Sequence, residues 1–201
     1  WNANGTIANV KIEYKISAGG GWVDPPIAAN DGGHVAGNNT YNWTAGIPYV
    51  KTNDAYIRIC DAATGFTDVC LTSAQFKILP VITVSSPTLD QKLEVGTNQA
   101  NIVKWSVTGT TISFVKIYYA TDGVTFTGVI DDSGLVAVGS GTAGISFTWP
   151  NATTLTNNAK VQVMDAAVGF TNLYGTSPAF NLKGDLTLTA PTGSTNWSAS
   201  T

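Results

Sequence analysis

Charge is scarce in this sequence. Lys and Arg number 10 and Asp and Glu 13 among 201 residues, so only 11% are charged and the net charge is −3. A surface for nucleic acid needs clustered cations to meet phosphates, and no such cluster occurs, so nucleic acid is excluded as a partner. Histidine occurs once, at His34 in a Gly-rich stretch, and cysteine twice, at Cys60 and Cys70. That inventory supplies no nucleophile, base and electrophile at recognisable spacing, and the chain is read as a non-enzyme with no catalytic residues. Zinc would have to recruit carboxylates from distant loops, which nothing specifies. No run of 18 or more apolar residues is present, which excludes membrane insertion by this segment. No basic segment followed by an apolar one opens the chain, and no stretch has a convincing helical period.

What remains is 43% hydrophobic, enough to bury a core in one or two domains. The abundant residues are Thr, Asn, Ser, Gly, Val and Ile: β-branched side chains that suit a pleated surface, with turn formers between them. This is the composition of a secreted β protein, and the expected location is extracellular or at the cell surface.

The sequence repeats. DAATGF begins at Asp61 and DAAVGF at Asp165, an offset of 104 (165 − 61). SAQFKI from Ser73 and SPAFNL from Ser177, Trp1 and Trp105, and ITVSSP from Ile82 and LTLTAP from Leu186 keep the same offset of 104. VKIEY from Val10 and VKIYY from Val115 are displaced by 105, and Trp43 and Trp149 by 106, as small loop insertions allow. The expected organisation is a first repeat over 1–79 that lacks its opening strands, a complete repeat over 80–184, and the first strand of a third over 185–201. Linkers near 79–81 and 183–185 are very short, and with Pro80 they suggest a stiff rod.

Within the complete repeat, short alternating runs predict about seven strands: 82–86, 101–107, 112–121, 126–131, 143–149, 159–165 and 177–183. Val115, Ile117 and Tyr119 fall on one face and Lys116 on the other, and Val10, Ile12 and Tyr14 are set likewise against Lys11, Glu13 and Lys15. The fold class is all-β, with tandem β-sandwiches.

The order I-V-K-W, V-K-I-Y-Y-A-T-D-G, F-x-W-P, V-Q-V-M-D-A, S-P-A-F-N-L is similar to the immunoglobulin-like or fibronectin-III-like tandem repeats of large bacterial surface and secreted proteins. The resemblance covers most of 82–183, and the same pattern covers 1–79 without its first strands. It implies a structural or adhesive module of a stalk, surface filament or adhesin shaft, whose partners are neighbouring copies of itself or adjacent repeats of one chain. The alternative is a carbohydrate-binding accessory module of a secreted enzyme, with glycans as partners. The first unit departs from the pattern in the loop 17–40, which is Gly-rich and carries Asp24, Pro25, Pro26 and Asp31.

Cys60 and Cys70 flank a hairpin turn, and an even cysteine count in an extracellular chain favours a disulfide. Alternation with Ile57 and Ile59 aims Cys60 away from the core. Met164 and Tyr174 occupy the equivalent positions, so the bridge is optional to the fold. Calcium is the only cofactor with candidate ligands: Asp122, Asp131 and Asp132, with Asp24 and Asp31, fall in loops and offer oxygens to a hard cation, although no EF-hand spacing occurs. The six tryptophans invite sugar stacking, but Trp1 pairs with Trp105, Trp43 with Trp149 and Trp22 with Phe126 across the repeat, which argues for packing. Sequons make Asn38, Asn42 and Asn151 the expected glycosylation positions. Finally, Leu186, Thr187, Leu188 and Thr189 form a candidate assembly strand, able to complete the opening unit of another molecule head to tail.

Overall fold

The computed structural model describes residues 1–23, 27–32, 36–43, 48, 50–63, 69–109, 112–137, 143–149, 155–190 and 193. Among them there is no helix, and every regular element is a strand. The chain divides into two compact units: Trp1–Val81 with Val107–Ile112, and Ile82–Ser106 with Ser113–Thr201.

Unit 1 contains β1 (Asn2–Ala3), β2 (Asn9–Lys15), β3 (Ala28–Gly32), β4 (Gly37–Asn38), β5 (Thr52–Asp61), β6 (Cys70–Thr72) and β7 (Phe76–Ile78). Its main sheet runs β3-β2-β5-β6, with β7 also paired to β5. The alternation expected of β2 holds in part: Val10 and Ile12 are buried and Lys11 and Lys15 half-buried, but Glu13, expected on the wet face, is buried and Tyr14 is only half-buried. Among the described residues the other sheet of unit 1 is the ribbon β1-β4, in which Asn2 faces Asn38 and Ala3 faces Gly37.

The strands of unit 2 are β8 (Val81–Ser86), β9 (Lys92–Glu94), β10 (Asn98–Thr108), β11 (Phe114–Ala120), β12 (Gly128–Ala137), β13 (Ala143–Thr148), β14 (Thr156–Asp165), β15 (Tyr174–Thr176) and β16 (Phe180–Lys183). One sheet is β13-β10-β8, and the other is β12-β11-β14-β16-β9 with β15 on β14. The core is sandwich-like. Trp105, Val103, Ile82 and Val84 come from the first sheet, and Val115, Ile117, Val161, Val163, Phe180 and Leu182 from the second, all buried. Trp149 fills the middle, edge-on to Tyr119 at 5.4 Å and tilted against Phe180 at 5.3 Å. The equivalent pair in unit 1, Tyr14 and Trp43, lies at 5.2 Å.

The described residues of unit 2 therefore form nine strands rather than the seven expected. The two missed, β9 and β15, are three residues long and too short to show a period. β12 runs on through Asp131 and Asp132, which were expected in a loop; the register slips opposite Ile117, and Gly134 takes a positive φ of 67°, so the strand absorbs the irregularity instead of ending. β3 likewise occupies part of the supposed loop 17–40 and places Asp31 opposite Val10. Gly175 is a close approach: a Cβ there would lie 2.3 Å from the Ile82 carbonyl oxygen.

Candidate functional site

The same hydrogen bonds recur in both units. Ser73 Oγ accepts from the Ile57 amide at 3.0 Å, and Ser177 Oγ accepts from the Val161 amide at 2.9 Å. Each serine returns its own amide to the same partner's carbonyl, at 2.8 Å in both units. Thr52 Oγ1 donates to the Ile16 carbonyl at 3.0 Å, as Thr156 Oγ1 does to Thr121 at 2.8 Å. The Asp61 carboxylate accepts from the Ala63 amide at 2.8 Å, and that of Asp165 from Ala167 at 2.9 Å. Polar side chains that satisfy backbone groups at hairpins and strand ends thus follow the repeat as closely as the apolar ones do.

In unit 2 the second strand is bound to the last. β9 lies parallel to β16, with Lys92, Leu93 and Glu94 opposite Asn181, Leu182 and Lys183. The ladder extends at both ends. The Val95 amide donates to Lys183 at 2.9 Å, the Asn181 amide to Gln91 at 2.8 Å, and the Asp90 amide to Ala179 at 2.9 Å. The Asn181 side chain adds a bond to the Asp90 carbonyl at 2.9 Å. Leu93 and Leu182 are buried beneath this seam. Tension that reaches β9 from the N-terminal side and β16 from the C-terminal side acts along the strands in opposite directions. All these bonds would then be loaded together in shear.

On the inner face of the unit 1 sheet Val10, Ile12 and Ala55 are buried, and cavities lie beside them. A cavity of about 300 Å³ is lined by Trp1, Ile12, Tyr41, Trp43, Ile57 and Ile59 among others. A second, of about 320 Å³, reaches Ile7, Val10, Cys70 and Leu71. Trp1, Trp43, Ile57 and Ile59 are half-buried, whereas their equivalents Trp105, Trp149, Val161 and Val163 are fully buried.

On the outer face, Glu13 sits in a cage of cations. Arg58 donates to Glu13 Oε2 through Nε at 3.0 Å and through its terminal nitrogen at 2.6 Å, and Lys11 Nζ lies 2.7 Å from Oε1. Burial pushes the carboxyl upward, but the hydrogen bonds and charges of Lys11 and Arg58 outweigh it and hold Glu13 below its ordinary value. The Arg58 guanidinium stacks on Trp22 at 4.4 Å, and Lys15 reaches Trp22 at 5.3 Å and Tyr56 at 4.9 Å. Trp22 was expected in the core with Phe126; it lies instead among the cations of the outer face.

The disulfide joins Cys60 and Cys70, which face each other across β5 and β6 with Cα atoms 4.1 Å apart. Cys60 shares the face of Arg58, as alternation requires, yet it is only 4% exposed, while Cys70 is exposed. Asn38 and Asn42 are exposed. Asn151, His34 and Asp24 lie outside the described residues. Each candidate calcium ligand in unit 2 has a local partner. Asp122 accepts from the Val124 and Thr125 amides at 2.8 and 2.7 Å, bonds that with the Thr125 hydroxyl lower its pKa to about 2. Asp131 accepts from the Ser133 amide at 3.0 Å and hydroxyl at 2.6 Å. Asp132 pairs with Lys116 at 2.8 Å and accepts from the Tyr118 hydroxyl. Among the described residues no three His, Cys, Asp or Glu side chains converge as a metal site would require. Residues 184–189 belong to no strand, and Leu186 and Leu188 are 97% and 83% exposed.

Compared with protein-family models, curated proteins and solved structures, the chain finds no match in any of the three.

Proposed function

We propose that this chain is a segment of an extracellular structural protein in which immunoglobulin-like units repeat every 104 residues or so and bear load as spacers in a stalk, filament or adhesin shaft. The observation that carries this reading is the parallel seam between β9 and β16. A unit whose second strand is bonded in parallel to its last resists extension once tension reaches that pair, because no single bond of the seam can be peeled before the others. The matching serine, threonine and aspartate bonds of the two units support a common ancestry for them. The disulfide adds a cross-strand staple of the kind that persists in oxidising surroundings. In this reading the units supply length and spacing, and recognition belongs to loops or to neighbouring domains.

Single-molecule pulling on the two ends of the chain tests the proposal. Rupture of the seam should free the residues between β9 and β16 in one step, lengthening the chain by on the order of 300 Å at an extended length of ~3.4 Å per residue. Smooth lengthening with no discrete step of that size would refute a load-bearing role.

A further inference from the structure

The Cys60–Cys70 bridge is asymmetric. Cys60, on the central strand β5, is 4% exposed, while Cys70, on the three-residue edge strand β6, is exposed. That exposure belongs to the fold: Tyr174 holds the equivalent place in unit 2, where β8 is also present, and is 51% exposed. Unit 2 also shows the same strand pair without a bridge. Met164 faces Tyr174 across β14 and β15 as Cys60 faces Cys70 across β5 and β6, so the pairing here does not need the covalent link. Two cations flank Cys60. Lys11 stands opposite it on β2, and Arg58 lies two residues before it on the same face; both pair with Glu13, so the group of three is net positive.

We propose that this bridge is a thiol-exchange site, modified at Cys70 by low-molecular-weight thiols while unit 1 stays folded. Access selects the sulfur that is attacked, and Cys70 is the exposed partner. The incoming thiolate bonds to Cys70 Sγ as the Cys60–Cys70 bond breaks. The electron pair leaves with Cys60 Sγ, which takes up a proton from solvent and becomes a thiol. No net oxidation or reduction occurs in this step. A second small thiolate then attacks the sulfur of the attached one, releases the small disulfide and leaves Cys60 and Cys70 both reduced. Exchange is faster when the departing thiolate is stabilised, and the positive charge of Lys11 and Arg58 beside Cys60 acts in that direction. The product is an edge strand that carries the adduct and is held to β5 by its ladder hydrogen bonds alone.

The test is to incubate the oxidised 201-residue chain with a series of glutathione concentrations, quench in acid at early times and locate the adduct by peptic mass mapping. The expected product has one glutathione on Cys70 and a free thiol on Cys60. Its initial rate of formation should rise in proportion to glutathione, while the amides of Val10 and Ile12 keep their protection from hydrogen exchange. Lys11→Gln should slow the reaction by roughly two- to fivefold, the scale of an exposed charge acting on a neighbour, and Lys11→Arg should restore it. An adduct found on Cys60 overturns the proposal, as does a bridge that forms no adduct at any concentration. A rate independent of glutathione overturns it too, because the unit would then have to unfold before the bond could be reached. An unchanged rate in Lys11→Gln overturns the role given to the cations. None of these failures touches the load-bearing reading, which rests on unit 2.

Discussion

Replacing Ser177 by alanine leaves the Val161 amide, in the middle of β14, without its acceptor. Ser177 Oγ accepts from that amide at 2.9 Å and donates to the Pro178 carbonyl at 2.9 Å, and Ser177 is only 3% exposed, so water cannot easily take over. A buried donor left unmatched costs about 1–3 kcal/mol. Ser73 makes the same bonds in unit 1, at 3.0 Å from the Ile57 amide and 2.8 Å to the Ala74 carbonyl, but it is exposed and a water can replace its hydroxyl. There the net loss should be about 0.5–1 kcal/mol. For a unit of this size each kcal/mol moves the midpoint by roughly 4–8 °C, so Ser177→Ala should lower the melting temperature of unit 2 by roughly 4–24 °C. Ser73→Ala should lower that of unit 1 by less. Thermal unfolding followed through the amide resonances of Val161 and Ile57 separates the two. Equal losses, or a larger loss for Ser73→Ala, would refute the argument that burial sets the value of this shared bond.

Three further outcomes follow from the packing. Gly175→Ala brings a methyl group against the Ile82 carbonyl, a backbone group that cannot swing aside, and should destabilise unit 2 by about 1–3 kcal/mol in urea titration with β8 as the displaced strand. Reducing the Cys60–Cys70 bridge, which closes a separation of 10 residues, should cost unit 1 roughly 2–3 kcal/mol and leave the unit 2 transition where it was. Glu13 has its folded-state pKa lowered by Lys11 and Arg58, so the stability it contributes is present above its ordinary value of 4.5 and lost as pH falls through the folded-state value; acid titration of unit 1 should show this loss in wild type, and Glu13→Gln should flatten it.

Much of the architecture could be read directly from residue patterns. The alternation of Val115 and Ile117 against Lys116, and the recurrence of Trp1 and Trp43 as Trp105 and Trp149, located the faces that form the cores. The facing cysteines were legible because their spacing fits a hairpin. The β9–β16 seam was not, since β9 has three residues and no period, and the partners lie some 90 positions apart, as with Asn181 and Asp90 at 91. The strand expected over 126–131 ends too early, at two adjacent carboxylates that read as the start of a loop; β12 runs on through Asp131 and Asp132 and gives each a hydroxyl or ammonium partner. Trp22 was misplaced for a different reason. Apolar size alone does not separate an indole in a core from one covered by a guanidinium, and Arg58 lies 36 positions further along the chain (58 − 22).

Residues 80–184, expressed alone, provide the most direct test of whether the chain is built from self-sufficient repeated units. The fragment should unfold in a single cooperative transition at the midpoint that unit 2 shows in the whole chain, with Val161 and Val163 among its slowest amides to exchange. A fragment that is unfolded, or that melts without cooperativity when residues 1–79 are removed, would contradict the repeat-unit account.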